Sequence, residues 1–568
     1  MTHGKESLDR RQRMVSFMEP WKEKEGNLSM LKHPGIRGVL ILITLIVVGG
    51  VICTIFLAQP DLLHESNDGA TVMTTDGPIK GTVNKDYRTF QGIPYAAPPV
   101  GDLRWSSPQP VKPWSELRNA TKPGNRCPQL VSATNPTKSL GEDCLFLNVM
   151  TPQSAQHNQL KPVLVWLHGG GFVEGAGSDF DPHRLVVSGD IVVVTVNYRL
   201  GMLGFFGYPG LKGSGSFGFE DQQAALRWVQ GNIKAFGGDP HNVTLAGESA
   251  GGWSVCSQLV SPSAAGLFQR AIIQSAICTR NMPANNFSPG LPALPPWEAL
   301  PDLQTTGKEI AGKLGCVDPT TAITCLRRLS VSKLQPVLQL FSLPAYGSSV
   351  LPENPVKALA EGHFHQMPLI SGVNHDEAML QIATDYEKIT PEHYQQLLEG
   401  TFHEQAEQVK EHYPLSAYHN SADEAWGAVI TDRMWVCPTF ERNRWLAQHA
   451  SVYGYEFADR NAPSSLIADP RIPLAAFHGS ELVYLFDFPG YKPPFSREQW
   501  HLSDQMIHYW ARFVHTGNPN GSGLPPWPSF RTSENVPYVQ ALAAGDKGIQ
   551  PINMDAEHNC SFWSTILA

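Results

Sequence analysis

The stretch NVTLAGESAGGWSVCSQLV, residues 242–260, decides the fold. Its first six residues form the short, apolar, β-branched run expected of a strand covered on both faces, and WSVCSQLV reads as a helix. Between them, GESAGG at 247–252 sets Ser249 amid glycines at a strand-to-helix junction. A turn that tight admits only glycine two residues before and two residues after the serine, and it lifts the hydroxyl into the open, as a nucleophile requires. A glycine-rich structural turn is the bland alternative, and the flanking strand and helix weigh against it.

Runs of the same kind recur outward from this point: PVLVWLH at 162–168, DIVVVTVNY at 190–198, AIIQS at 271–275 and PLISG at 368–372. Between two of them, residues 219–236 place Leu226, Val229, Ile233 and Phe236 on one helical face, and Gly237 and Gly238 end the helix. Strand, helix, strand is the parallel crossover unit, so the chain reads as an α/β protein with a large, mainly parallel sheet flanked by helices. With no internal repeat and no long polar linker, residues 69–568 read as one domain. The Pro-rich stretch 283–301 and the polar stretch 386–412 are expected to cover the C-terminal edge of the sheet.

An ester attacked at its carbonyl carbon gathers negative charge on oxygen, which needs fixed donors in a site shielded from water. HGGGF at 168–172 directly follows a strand, and its glycines let backbone N–H groups approach a substrate. Gly170 and Gly171, with Ala250 after the serine, are the candidate donors. A phosphate cradle is disfavoured because no lysine with P-loop spacing follows. Serine also needs a histidine to take its proton and an acid to orient that histidine, in the chain order serine, acid, histidine. Twenty histidines leave the choice open at this level.

A set of ordered motifs narrows it: FQGIPYAAPPVGDLRW (90–105), EDCLFLNV (142–149), HGGGF, NYRLG (197–201), the block from Asp221 through FGGDP (236–240) to GESAGG, GVNHDE (372–377) and FHGSEL (477–482). With these the chain resembles the type-B carboxylesterase and cholinesterase family from about Thr71 to Trp563. The resemblance implies the α/β-hydrolase fold, Glu377 as the acid, His478 as the base, and Glu248 and Ser275 as polar neighbours of the triad. It also implies the disulfides Cys127–Cys144, Cys316–Cys325 and Cys437–Cys560. Cys256 and Cys278, in apolar segments, read instead as inert buried thiols, and Cys53 falls in the apolar run described below. The expected activity is hydrolysis of small-molecule carboxylic esters through an acyl-enzyme on Ser249, without a metal or organic cofactor. The alternative is a catalytically silent adhesion protein of the same fold at the cell surface; an amidase or lipase would share the triad.

Choline esters fit poorly. A quaternary ammonium is held on aromatic faces, whereas no aromatic residue lies between Cys127 and Cys144, and Leu380, Gln381 and Met282 stand where the family carries aromatics. Broad, apolar esters suit such a pocket better.

The remaining features concern location. Residues 38–58, GVLILITLIVVGGVICTIFLA, are uncharged and would span roughly 30 Å as a helix. Lys22, Lys24, Lys32 and Arg37 precede this run and no Lys or Arg follows until Lys80, so residues 1–37 are expected in the cytosol and everything beyond 58 outside it. Phe56 at position −3 makes cleavage after Ala58 a poor fit, and 59–68 reads as a stalk of a type II membrane protein. Sequons at Asn119, Asn520 and Asn559 are the favoured glycosylation sites, with Asn242 and Asn286 less favoured. A net charge of −9 argues against a nucleic-acid partner.

Overall fold

The computed structural model describes residues 69–566 apart from 132–137, 156–158, 468–469 and 535. The residues expected to form a cytosolic tail, a membrane span with Cys53 and a stalk lie outside the described residues, among which no helix is long and apolar enough to cross a membrane.

Eleven strands form the main sheet. In chain order they are β1 (Thr82–Val83), β2 (Tyr87–Pro94), β3 (Phe146–Pro152), β4 (Lys161–Leu167), β5 (Val192–Val196), β6 (Gly238–Glu248), β7 (Arg270–Gln274), β8 (Leu369–Asn374), β9 (Val452–Phe457), β10 (Val539–Leu542) and β11 (Ile549–Ile552). Their spatial order is β11-β10-β9-β8-β7-β6-β4-β5-β3-β2-β1. From β5 through β10 all neighbours run parallel. The margins are antiparallel: β11 on β10, and β3, β2 and β1 beyond β5.

The apolar runs read as two-faced strands because alternate residues enter two different cores. Val163, Val165, Val243, Leu245, Ala271 and Ile273 pack on one face, and Leu164, Trp166, Ala246, Ile272 and Ile370 on the other. The helix expected at 219–236 is Phe217–Asn232 (α1) followed by a 3₁₀ turn Ile233–Phe236, and Gly237, with φ 82°, ends it. Helix α2 (Ala250–Val260) follows the junction serine. The stretches 283–301 and 386–412 meet through Tyr386 Oη donating to the Asn285 carbonyl and Asn285 Nδ2 donating to Thr401 Oγ1. Trp297, in the first of them, packs edge-on against Trp253 of α2 and donates to Ser257.

The three expected disulfides are present, and a fourth joins Cys256 to Cys278, which corrects their reading as free thiols. Helix α2 lies against β7, and the loop leaving β7 returns Cys278 to within 6.4 Å (Cα to Cα) of Cys256. Burial, the basis of the thiol reading, is equally the condition of a protected disulfide. Asn119 is exposed, Asn520 and Asn559 are half-buried, and Asn286 is buried with its amide bonded to the Pro283 carbonyl.

Candidate active site

The site lies where the parallel strands end. At the junction of β6 and α2, Ser249 has φ 55° and ψ −122°, a backbone conformation sparsely used by residues with a side chain. Packing enforces it. A Cβ at Gly251 would lie 2.0 Å from the Leu167 carbonyl oxygen, and one at Gly247 would lie 2.4 Å from the Gly251 carbonyl carbon. Ser249 N–H donates to the Gln274 carbonyl at 3.0 Å, tying the junction to β7.

The HGGG loop touches this junction: a Cβ at Gly169 would fall 3.0 Å from the Ser249 Cβ. Gly170 (φ 94°) and Gly171 (φ 58°) are both left-handed, and the Gly170 carbonyl turns away to accept from Val173 and Glu174. Among the described residues, neither glycine's N–H finds an acceptor, and Ala250, as the first helical residue, has no helical acceptor for its own. His168 stacks on Tyr198 with ring centroids 4.5 Å apart. Burial lowers its pKa to about 4, so it is neutral and props the loop.

Glu377 and His478 come together from segments 101 residues apart: His478 Nδ1 lies 2.6 Å from Glu377 Oε2, and the His478 N–H donates to the Glu377 carbonyl at 3.2 Å. The other Glu377 oxygen accepts from the Asn374 N–H at 2.8 Å. With Nδ1 engaged, Nε2 faces the junction, where Glu248, the residue before Ser249, sets Oε1 3.2 Å away. That contact lacks hydrogen-bond alignment, since Oε1 has no hydrogen-bond partner, so it is electrostatic proximity. Burial works against the imidazolium, yet Glu248 and Glu377 outweigh it and raise the His478 pKa to about 9. Burial raises the Glu248 carboxyl in turn. Ser275 is fully buried beside the junction at the end of β7, with φ 48° and an Oγ that has no partner.

The motif reading gives several neighbours no role, Glu481 among them although it lies within FHGSEL. Glu481, fully buried, accepts from Gln274 Nε2 and Asn374 Nδ2. Trp435 lies with its ring centroid 4.5 Å from that of His478. Thr431 Oγ1 accepts from the N–H of Ala378, next to Glu377. A glutamate inside the otherwise apolar run after FHGS was the one available clue. Met379, Leu380, Leu474 and Phe477 form an apolar cluster that flanks both Glu377 and His478.

The arrangement can therefore offer a hydroxyl at a sharp turn, a carboxylate-bound imidazole and unclaimed N–H donors, which is equipment for acyl transfer. A carboxylesterase family model matches residues 68–563, so the chain belongs to the carboxylesterase family and is a carboxylic ester hydrolase. It is 35% identical to a cocaine esterase of Oryctolagus cuniculus over 81% of this chain and 88% of that one. It is 36% identical to an acylcarnitine hydrolase of Mus musculus, covering 80% and 82% respectively. Among solved structures, a PNB esterase superposes with a TM-score of 0.71 at 31% identity, over 87% of this chain and 99% of that one.

Proposed function

We propose that Ser249, His478 and Glu377 form the catalytic triad of a broad-specificity esterase acting on apolar esters. The observation that carries this reading is that Glu248, the residue before Ser249, lies beside both the HGGG loop and His478 Nε2, and so links the strained turn to the His478–Glu377 pair. His478 Nε2 takes the Ser249 proton as Oγ attacks the carbonyl carbon. The oxyanion is met by the N–H groups of Gly170, Gly171 and Ala250. The imidazolium returns the proton to the departing alcohol, the acyl group stays on Ser249, and water repeats the attack to release the acid. Glu377 keeps Nδ1 protonated and the ring oriented.

The apolar cluster with Leu380 supports esters with sizeable apolar groups. Relatives whose names record cocaine, acylcarnitines and pyrethroids as substrates support breadth. Four disulfides support export to an oxidising compartment, in keeping with an anchor at 38–58 and an extracellular or lumenal catalytic domain, glycosylated at Asn119, Asn520 and Asn559. A fluorophosphonate should label Ser249 alone, and Ser249→Ala should lower turnover of an aryl ester by about 10⁶-fold; turnover surviving in that variant overturns the assignment.

A further inference from the structure

A second buried charged cluster lies behind the triad, and its centre is near the end of the chain. His558, 3% exposed, sits between the last two helices, Met554–Glu557 and Cys560–Ile566. Its Nδ1 is 2.5 Å from Asp432 Oδ1 and its Nε2 is 2.6 Å from Glu456 Oε1. A ring bonded through both nitrogens to carboxylates is a double donor, the imidazolium. The two carboxylates hold its pKa well above the ordinary value against the opposing effect of burial.

Both partners belong to elements that build the active site. Asp432 lies in a buried π-helix, Thr431–Val436, an insertion between two α-helical stretches. That π-helix also carries Thr431, which accepts from the residue after Glu377, and Trp435, which lies on the His478 ring. Glu456 is on β9 opposite Val373, one residue before the Asn374 whose N–H binds Glu377. The C-terminal segment grips Asp432 a second time: Trp563 Nε1 donates to Tyr413 Oη, which donates to Asp432 Oδ2, both at 2.7 Å. The disulfide Cys437–Cys560 fastens the segment to the helix that continues the π-helix.

We propose that His558 is a positioning residue for the ester hydrolysis: by joining Asp432 to Glu456 it holds the π-helix against β9, and so sets Trp435 on His478 and Thr431 on the Glu377 loop. This rests on the triad reading above. The rival occupant of the cluster is a divalent metal, because ligand atoms of His375, Glu456, Glu557 and His558 lie within 4.8 Å of one another, and Glu456 Oε2 and His375 Nδ1 lack hydrogen-bond partners. The short His558–Glu456 bond occupies the Nε2 that such a metal needs, which favours the proton.

The test uses the full chain, with active sites counted by fluorophosphonate titration. His558→Ala should lower kcat per titrated site by about tenfold with KM within about twofold, and His558→Asn, which keeps a donor toward Asp432, should recover part of the loss. In a Thr431→Val background the His558→Ala change should cost less than about threefold, because the two act through one element. Where His558→Ala does not accumulate as folded protein, Asp432→Asn takes its place with the same expected loss. A lower melting temperature with unchanged kcat per site, or full additivity with Thr431→Val, overturns the proposal. So does one equivalent of zinc per chain that is lost in Glu557→Ala. If Ser249 of the unaltered chain is not labelled, the triad reading itself has failed; if it is labelled and kcat stands in the His558 variant, only this inference has.

Discussion

The two halves of the proposed active site are built by different means. On the nucleophile side, backbone does the work: Gly169, Gly170, Gly247 and Gly251 pass so close to neighbouring carbonyls that a single methyl group would collide. On the acid and base side, side chains do it: Glu377, His478, Glu248, Glu481 and Asn374 arrive from distant segments and hold one another by charge and hydrogen bonds. Steric limits of this kind mark the sequence locally, as glycines that admit no replacement, whereas the charge and hydrogen-bond contacts leave no local mark. The first half should break abruptly when touched, and the second should be tunable.

The largest effect within this contrast is expected from Glu377→Gln, which leaves a hydrogen bond to His478 and favours the wrong tautomer. A kcat loss of about 10⁴-fold with little change in fold is the expected outcome of steady-state kinetics and circular dichroism. Gly170→Ala comes next. Its methyl would lie 2.4 Å from the Glu174 carbonyl oxygen, so the loop must shift its donors and kcat should fall by about 10² to 10³; near-normal kcat would remove Gly170 from the oxyanion site. Replacing Cys256 and Cys278 together by alanine should lower unfolding free energy by about 2–4 kcal/mol in denaturant titration while sparing kcat.

The smallest effect is a displacement along the pH axis. His478 must be neutral to accept the serine proton, and neighbouring carboxylates raise its pKa, so activity should rise with pH along a limb above the ordinary histidine value of about 6.5. Glu248→Gln removes one of those negative charges, which lowers the His478 pKa. The limb in kcat/KM should therefore move to lower pH, by about one unit. A limb that stays in place would mean that Glu248 does not reach His478 electrostatically in the working enzyme.

What the sequence disclosed follows the same division. β4 to β8 were legible because strands buried on both faces must be apolar throughout, and Gly247, Ser249 and Gly251 because the turn permits little else. The antiparallel margins were not read: β1 has two residues, and β11 runs half-exposed to exposed, so neither carries an apolar run. Glu377 and His478 came from resemblance, since nothing local separates His478 from the other histidines. Trp435, Glu481, Asp432 and His558 were not assigned, because their contacts join residues up to 207 apart and leave no periodic trace. The Cys256–Cys278 pair escaped for a related reason: burial describes a residue's surroundings but not which residue faces it.

The backbone at Ser249 has one more consequence. A residue held at φ 55° and ψ −122° sits in a region that costs on the order of 1–3 kcal/mol for anything but glycine. Ser249→Gly should therefore yield a chain that no longer turns over ester yet resists heat better than the native enzyme. Left to drift without selection for chemistry, the position would move toward glycine, so the serine found there is itself a record of work the protein is kept to perform.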